Sequence, residues 1–257
     1  MNYRIISSLT IVLFISSCSI FSPEKNTKKI MAEGLSPKEL YSQAEDQVNA
    51  GSIDDAIEKF KLILASYPGS KYAIQARLDI AYNYYKRKKY NLALNELDIF
   101  IKRYPSIAPT PYAYYLRGVI AEEKSASLLD EIVTDIAQRD IEGIKQAFDY
   151  YNLLIKNFPD SKYSKEASLR LTDLINILAR HEFYVSVYYT RNDSNIAALN
   201  RLKYIIENYP DSSLVPDALH LMAYNYEIIN APDFAEDMRN VLSLNFPNHI
   251  PNYSLKK

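Results

Sequence analysis

Between residues 36 and 246 the apolar positions fall in blocks with helical rather than strand-like spacing, and the blocks recur along the chain. An aromatic residue followed by proline appears at Tyr67-Pro68, Tyr104-Pro105, Phe158-Pro159, Tyr209-Pro210 and Phe246-Pro247, at intervals of 37, 54, 51 and 37 residues. Twelve residues before each proline stands an alanine (Ala56, Ala93, Ala147, Ala198, Ala235), and five before it an apolar side chain (Ile63, Phe100, Leu154, Ile205, Leu242). This is the spacing of a tetratricopeptide-like helix pair, in which small residues let backbones approach and larger ones fill the gaps.

The punctuation agrees with that reading. Proline lacks an amide donor and pushes the residue before it out of the helical region, so each aromatic-Pro pair ends a helix. Ser70, Ser161 and Ser212 are placed to cap the helices that follow, and Ser36-Pro37-Lys38-Glu39 opens the array with a capping box. Gly51-Ser52 separates the first helix from the second, which begins with Asp54 and Asp55 where a helix start favours negative charge. The pattern predicts helix pairs at 37–49 with 52–66, 70–87 with 90–103, 110–126 with 141–157, 161–188 with 194–208, and 213–229 with 233–245. The fold class is therefore all-α, a right-handed superhelix of about five tetratricopeptide-like pairs, with the outer two as caps. Two long intervals locate insertions, of about 17 residues around Ser127 to Asp140 and about 14 that lengthen the first helix of the fourth unit.

A different pattern precedes the array. Arg4 leads into an apolar stretch (Leu9, Ile11, Val12, Leu13, Phe14, Ile15), then Ser16, Ser17 and Cys18, the sole cysteine. The stretch is shorter than the ~20 residues of a spanning helix and has the three parts of a secretory signal. A cysteine at its end is similar to the lipobox of bacterial lipoprotein precursors, whose thiol takes a diacylglycerol and whose new amino terminus is acylated after cleavage. Residues 1–17 are thus expected to be a signal peptide and 18–35 a lipidated, flexible tether, since Ser22 to Leu35 lacks apolar periodicity. Repeats one to three are expected over 36–160, repeats four and five over 161–247, and a polar tail over 248–257. Ser19 rather than aspartate after the cysteine implies, by the same resemblance, the periplasmic face of the outer membrane. With Cys18 acylated no disulfide can form, and stability must come from packing.

Net charge is −1, from 30 basic and 31 acidic residues, which offers no field to capture nucleic acid or an anionic membrane. The run Lys86-Arg87-Lys88-Lys89 falls at a helix junction and reads as a solvated turn. Tyrosine is abundant at 23 residues while glycine numbers five, a composition suited to long helices packed through amphipathic rings. His181, His220 and His249 are scattered, with no second ligand at metal spacing. There is no phosphate-cradling glycine loop, no nucleophile elbow, and the carboxylate pairs Asp54-Asp55 and Glu122-Glu123 suit a solvated helix face. An enzyme is not expected, nor any cofactor beyond the N-acyl and S-diacylglycerol groups on Cys18. The usual work of such a solenoid is to hold other polypeptides.

Local text is more specific than the repeat. Ala81 to Lys86 (AYNYYK), Tyr115 to Val119 (YLRGV), Gln138-Arg139-Asp140 leading to Ala147-Phe148, and above all His181 to Tyr189 (HEFYVSVYY) followed by Ala197 to Arg201 (AALNR) resemble the BamD (ComL) family of outer-membrane assembly lipoproteins. Asn192-Asp193 stands where that family commonly has glycine, and asparagine tolerates the left-handed turn this position needs. The resemblance implies a scaffold for inserting β-barrel proteins. Its C-terminal repeats would dock a POTRA domain of BamA, its N-terminal repeats would hold the targeting segment of unfolded outer membrane proteins, and other Bam lipoproteins would be partners. Arg201 matches the family's docking arginine, with Tyr188 and Tyr189 beside it in the docking set; it either pairs with a BamA carboxylate or closes a bridge within the chain. Tyr82, Tyr85, Tyr114 and Tyr115 either line a substrate-peptide groove or fill the seam between repeats. A tetratricopeptide adaptor for cell-wall enzymes or secretin assembly would share the anchor and repeats, but should lack the text from His181 to Arg201 and the third-repeat insertion.

Overall fold

A computed structural model of the chain describes residues 34–127, 135, 137 and 141–255. The signal, Cys18 and nearly all of the tether lie outside the described residues, as does the 127–140 insertion apart from Ser127, Asp135 and Ala137. The described residues form α1 (Pro37–Asn49), α2 (Ile53–Ser66), α3 (Lys71–Lys86), α4 (Tyr90–Arg103), α5 (Thr110–Ser127), α6 (Glu142–Asn157), α7 (Lys162–Arg191), α8 (Asn195–Asn208), α9 (Val215–Ile228) and α10 (Pro232–Asn245). Each helix packs on its neighbours in sequence, and α1 also meets α3 while α5 meets α7, so the first helices of pairs one and two, and those of pairs three and four, lie side by side. The result is an all-α, tetratricopeptide-like solenoid.

The repeat text does what its chemistry demands. Ala56, Ala93, Ala147, Ala198 and Ala235 are all fully buried, as are Ile63, Phe100, Leu154 and Ile205. Leu242, the fifth of the second series, is only half-buried; among the described residues no helix pair packs beyond α10 to cover it. Tyr67, Tyr104, Phe158, Tyr209 and Phe246 each end the second helix of a pair at nearly one φ, between −131° and −140°. Ser36 and Glu39 close the capping box, and Ser70 and Ser161 cap α3 and α7. Ser212 differs. Its hydroxyl donates to Asn176 on α7 at 3.0 Å, and α9 begins three residues later, at Val215 with Pro216 in its first turn.

Within pairs one, two, four and five the turn carries one left-handed residue: Gly51, Lys88, Asp193 and Asn230. In each turn the next amide donates to the carbonyl five residues before it at 2.9 Å, the closing bond of a Schellman motif. The basic run at 86–89 is one of these turns, with Arg87 paired to Asp54. In the fourth turn the left-handed residue is Asp193 and not Asn192, whose φ is −103°.

Glycine serves the core at the third pair. A Cβ on Gly118 would stand 2.1 Å from Cε1 of Tyr151, a ring fully buried between α5 and α7, and one on Gly143 would stand 2.7 Å from Cβ of Ser125. The two glycines let α5 and α6 approach closely enough to enclose the largest fully buried side chain of the described residues.

Candidate binding surfaces

The long helix α7 builds the first surface. Its second half carries Glu182 buried on one side and Tyr188 exposed on another, about two turns apart. Arg201, reaching from α8, donates to Glu182 at 3.0 Å; the arginine side chain is 47% exposed and the glutamate 5%. Glu182, with a smaller contribution from Tyr189, holds the guanidinium above its ordinary pKa, so it stays charged. The Tyr188 and Tyr189 rings meet edge to face at 5.9 Å, and Tyr188 is 64% exposed.

Tyr188 and Tyr189 also line an open cleft of about 830 Å³ with Arg180, Tyr184 and Arg191. One wall is the C-terminal tail, which folds back against the fourth and fifth pairs. The buried carboxylate of Asp217 holds His249 Nε2 at 3.0 Å and the Asn252 amide at 3.2 Å. Tyr253 sits 5.3 Å from the Phe183 ring with its hydroxyl 2.6 Å from His220 Nδ1, and Arg191 donates to the Ser254 carbonyl at 2.6 Å. Burial, with His249 nearby, lowers the His220 pKa. From the insertion, Asp135 accepts from the Tyr184 hydroxyl and the Ala137 carbonyl lies 2.7 Å from His181 Nδ1. The surface therefore presents guanidinium and phenol groups around an apolar floor, suited to the acidic edge of a folded partner.

The first helices of pairs one to four build the second surface. Tyr82, 42% exposed, stands between two hollows of about 330 and 380 Å³. Tyr112 and Tyr163 line the first with Pro109; Tyr41, Glu45 and Asp46 line the second; Asp79 lines both. Burial pushes Tyr112 up to about 12, so its hydroxyl stays protonated. Tyr85 lies 6.0 Å from Tyr82 and donates to Glu123 on α5. Tyr114 and Tyr115 are placed otherwise: Tyr114 packs on Phe158 at 5.8 Å, and Tyr115 lies between Tyr151 and Tyr163 while accepting from Arg170 at 3.3 Å. The structure thus sets Tyr82 between the two hollows, with the Tyr85 ring against it but lining neither, and places Tyr114 and Tyr115 against α6 and α7. Tyr41, Tyr112, Tyr163 and Asp79 are groove residues that the sequence reading missed. One signal was available, because Tyr41 bonds Asp79 and Tyr85 bonds Glu123 at a separation of 38 residues, close to the repeat interval.

Among the described residues no group of three metal-ligating side chains occurs, and no helix is long and apolar enough to cross a membrane. Helix pairs that expose a cleft and an aromatic groove define a tetratricopeptide-like scaffold. The chain belongs to the YfiO family of outer membrane lipoproteins, whose family model matches residues 33–242. Outer membrane protein assembly factor BamD of Neisseria gonorrhoeae is 30% identical over 245 residues, covering 95% of this chain and 91% of that protein. The BamD of Xylella fastidiosa strain Temecula1 is 31% identical over 242 residues, covering 94% and 83%, and that of Vibrio cholerae 28% over 246 residues, covering 95% and 99%. Among solved structures, a thermophilic TPR protein of Thermus thermophilus aligns at 15% identity and TM-score 0.37, covering 83% of this chain and 93% of that one. The chain is a non-enzymatic scaffold of the YfiO family.

Proposed function

We propose that this protein is an outer-membrane protein assembly factor: a lipid-anchored scaffold that docks a POTRA domain of BamA and holds segments of unfolded outer membrane proteins for insertion. Cys18, acylated after signal cleavage, fixes it to the periplasmic face of the outer membrane, where two or more chains anchor stably. Other Bam lipoproteins share the complex. The similarity to BamD proteins over nearly the whole chain supports the pathway. The observation that carries the docking role is Arg201, held by buried Glu182 with its fork half in solvent, beside Tyr189 and the exposed ring of Tyr188. A guanidinium held in place in this way is suited to a partner carboxylate. The second surface, with Tyr82 between its two hollows and Tyr85 packed against that ring, takes the substrate.

Affinity capture from solubilised envelopes tests this reading. The wild type should bring down BamA, and Arg201→Glu, folded by circular dichroism, should not. Retention of BamA by that variant, or its absence from the wild-type capture, contradicts the docking role. Cys18→Ala should lose fatty-acid label and leave the membrane fraction.

A further inference from the structure

Asp79 stands where the two hollows of the aromatic groove meet. Its carboxylate accepts from the Tyr41 hydroxyl at 2.6 Å and from Gln75 Nε2 at 3.0 Å, both neutral donors. No described lysine or arginine pairs with it, and none lines either hollow. Lys162 lies 4.9 Å over the ring of Tyr163, itself a wall of the first hollow, and Lys71 lies 5.3 Å over the Tyr72 ring, but neither lysine lines either hollow. Glu45 and Asp46 add negative charge along the second hollow. Burial raises the Asp79 carboxyl above its ordinary pKa in spite of its two hydrogen bonds, so the fold carries a carboxylate that lacks a counter-charge.

The geometry points to a cation subsite in this groove: Asp79, flanked by Tyr82, Tyr112 and Tyr163, takes the lysine or arginine side chain of an extended client segment whose apolar side chains lie in the hollows. This rests on the groove reading and adds to it a chemical preference. Aromatic faces and a carboxylate attract the same ligand, since ring quadrupoles favour cations and a partly desolvated ion pair is stronger than one in water. The second hollow places Tyr41, Glu45 and Asp46 one helix away, so a basic residue and its neighbours on an extended chain meet complementary surface along the groove. A bare metal ion is a poor occupant, because no set of three ligating side chains occurs among the described residues.

The test uses the mature lipidated protein in detergent micelles and two fluorescent peptides. Both alternate aromatic and polar residues; one carries a central lysine and the other glutamine at that position. The lysine peptide should bind about tenfold more tightly, the gain of a charge-assisted contact. Asp79→Asn should remove that preference, bringing the lysine peptide down to the affinity of the glutamine peptide on the same variant, and Tyr112→Leu should reduce the preference without abolishing binding. Equal binding of the two peptides to the wild type, or a preference that survives Asp79→Asn, overturns the subsite and leaves the groove reading intact. If neither peptide binds, the groove reading falls and the subsite falls with it.

Discussion

Arg201 and Glu182 form a 3.0 Å ion pair across the junction of α7 and α8, with the carboxylate buried and the guanidinium half in solvent. The pair serves two purposes at once. It satisfies a charge inside the fourth repeat, and it holds the cation that a docking partner would use. An internal bridge and an external contact are therefore compatible at this position, because a guanidinium has five donors and one pairing occupies few of them.

Removing Arg201 should have a structural cost as well as a functional one. Arg201→Ala leaves Glu182 buried without its partner, and the expected loss is about 2 kcal/mol in thermal or denaturant unfolding. Arg201→Ala combined with Glu182→Gln should recover most of that loss while BamA capture stays defective. Recovery of capture along with stability would place the whole effect in folding.

Gly118→Ala should destabilise the third pair. The new Cβ would fall 2.1 Å from the Tyr151 ring, which is fully buried and bonded to Glu122 through its hydroxyl. Overpacking of this kind costs about 1–3 kcal/mol and outweighs the roughly 1 kcal/mol that alanine otherwise gains over glycine in a helix. Thermal unfolding should show a lowered midpoint, and Gly118→Ala with Tyr151→Leu should restore part of it.

Asp79→Asn should have the opposite sign at neutral pH. Burial raises the folded-state pKa of Asp79 above its unfolded value, so its contribution favours the fold below the unfolded pKa and is lost as pH rises through the folded pKa. The asparagine variant should therefore melt higher than wild type near pH 7, and the difference should shrink as pH falls towards the ordinary carboxylate range. An acidic side chain kept at a cost in stability is what a binding groove would require.

Asp217→Ala should free the tail. That carboxylate is the common acceptor for His249 and for the Asn252 amide. Amide exchange over 248–255 should accelerate about tenfold or more, as expected when a buried hydrogen-bonded anchor worth about 1–3 kcal/mol is lost. Exchange in α8 should stay unchanged.

Helix pairs, their order and most of their boundaries were legible because each rests on local chemistry: a proline that cannot continue a helix, a serine that can start one, an alanine that must be covered. Two boundaries moved: α7 runs on to Arg191 where the pattern ended it at 188, and α9 starts at Val215 rather than 213 because Asn176 engages Ser212 and Ser213 from another helix, which no local rule contains. The groove was legible only in part. Tyrosine density drew attention to Tyr82 and Tyr85, but Tyr41, Tyr112, Tyr163 and Asp79 converge through the rotation of four helices about their own axes. The tail was opaque for a similar reason. It has no periodicity, and its hold on the fold comes from residues far back in the chain: Asp217, 32 and 35 residues earlier, with His220 and Arg191 33 and 63 residues before their partners.

Site-specific photo-crosslinking from position 188 in intact cells tests the central claim most directly, since Tyr188 is the most exposed ring of the docking surface and is not the residue that closes the Glu182 pair. The adduct should contain a POTRA domain of BamA, identified by mass spectrometry, and should diminish in an Arg201→Glu background. Capture of a secretin or a cell-wall enzyme in its place would leave the solenoid standing and contradict the assembly role.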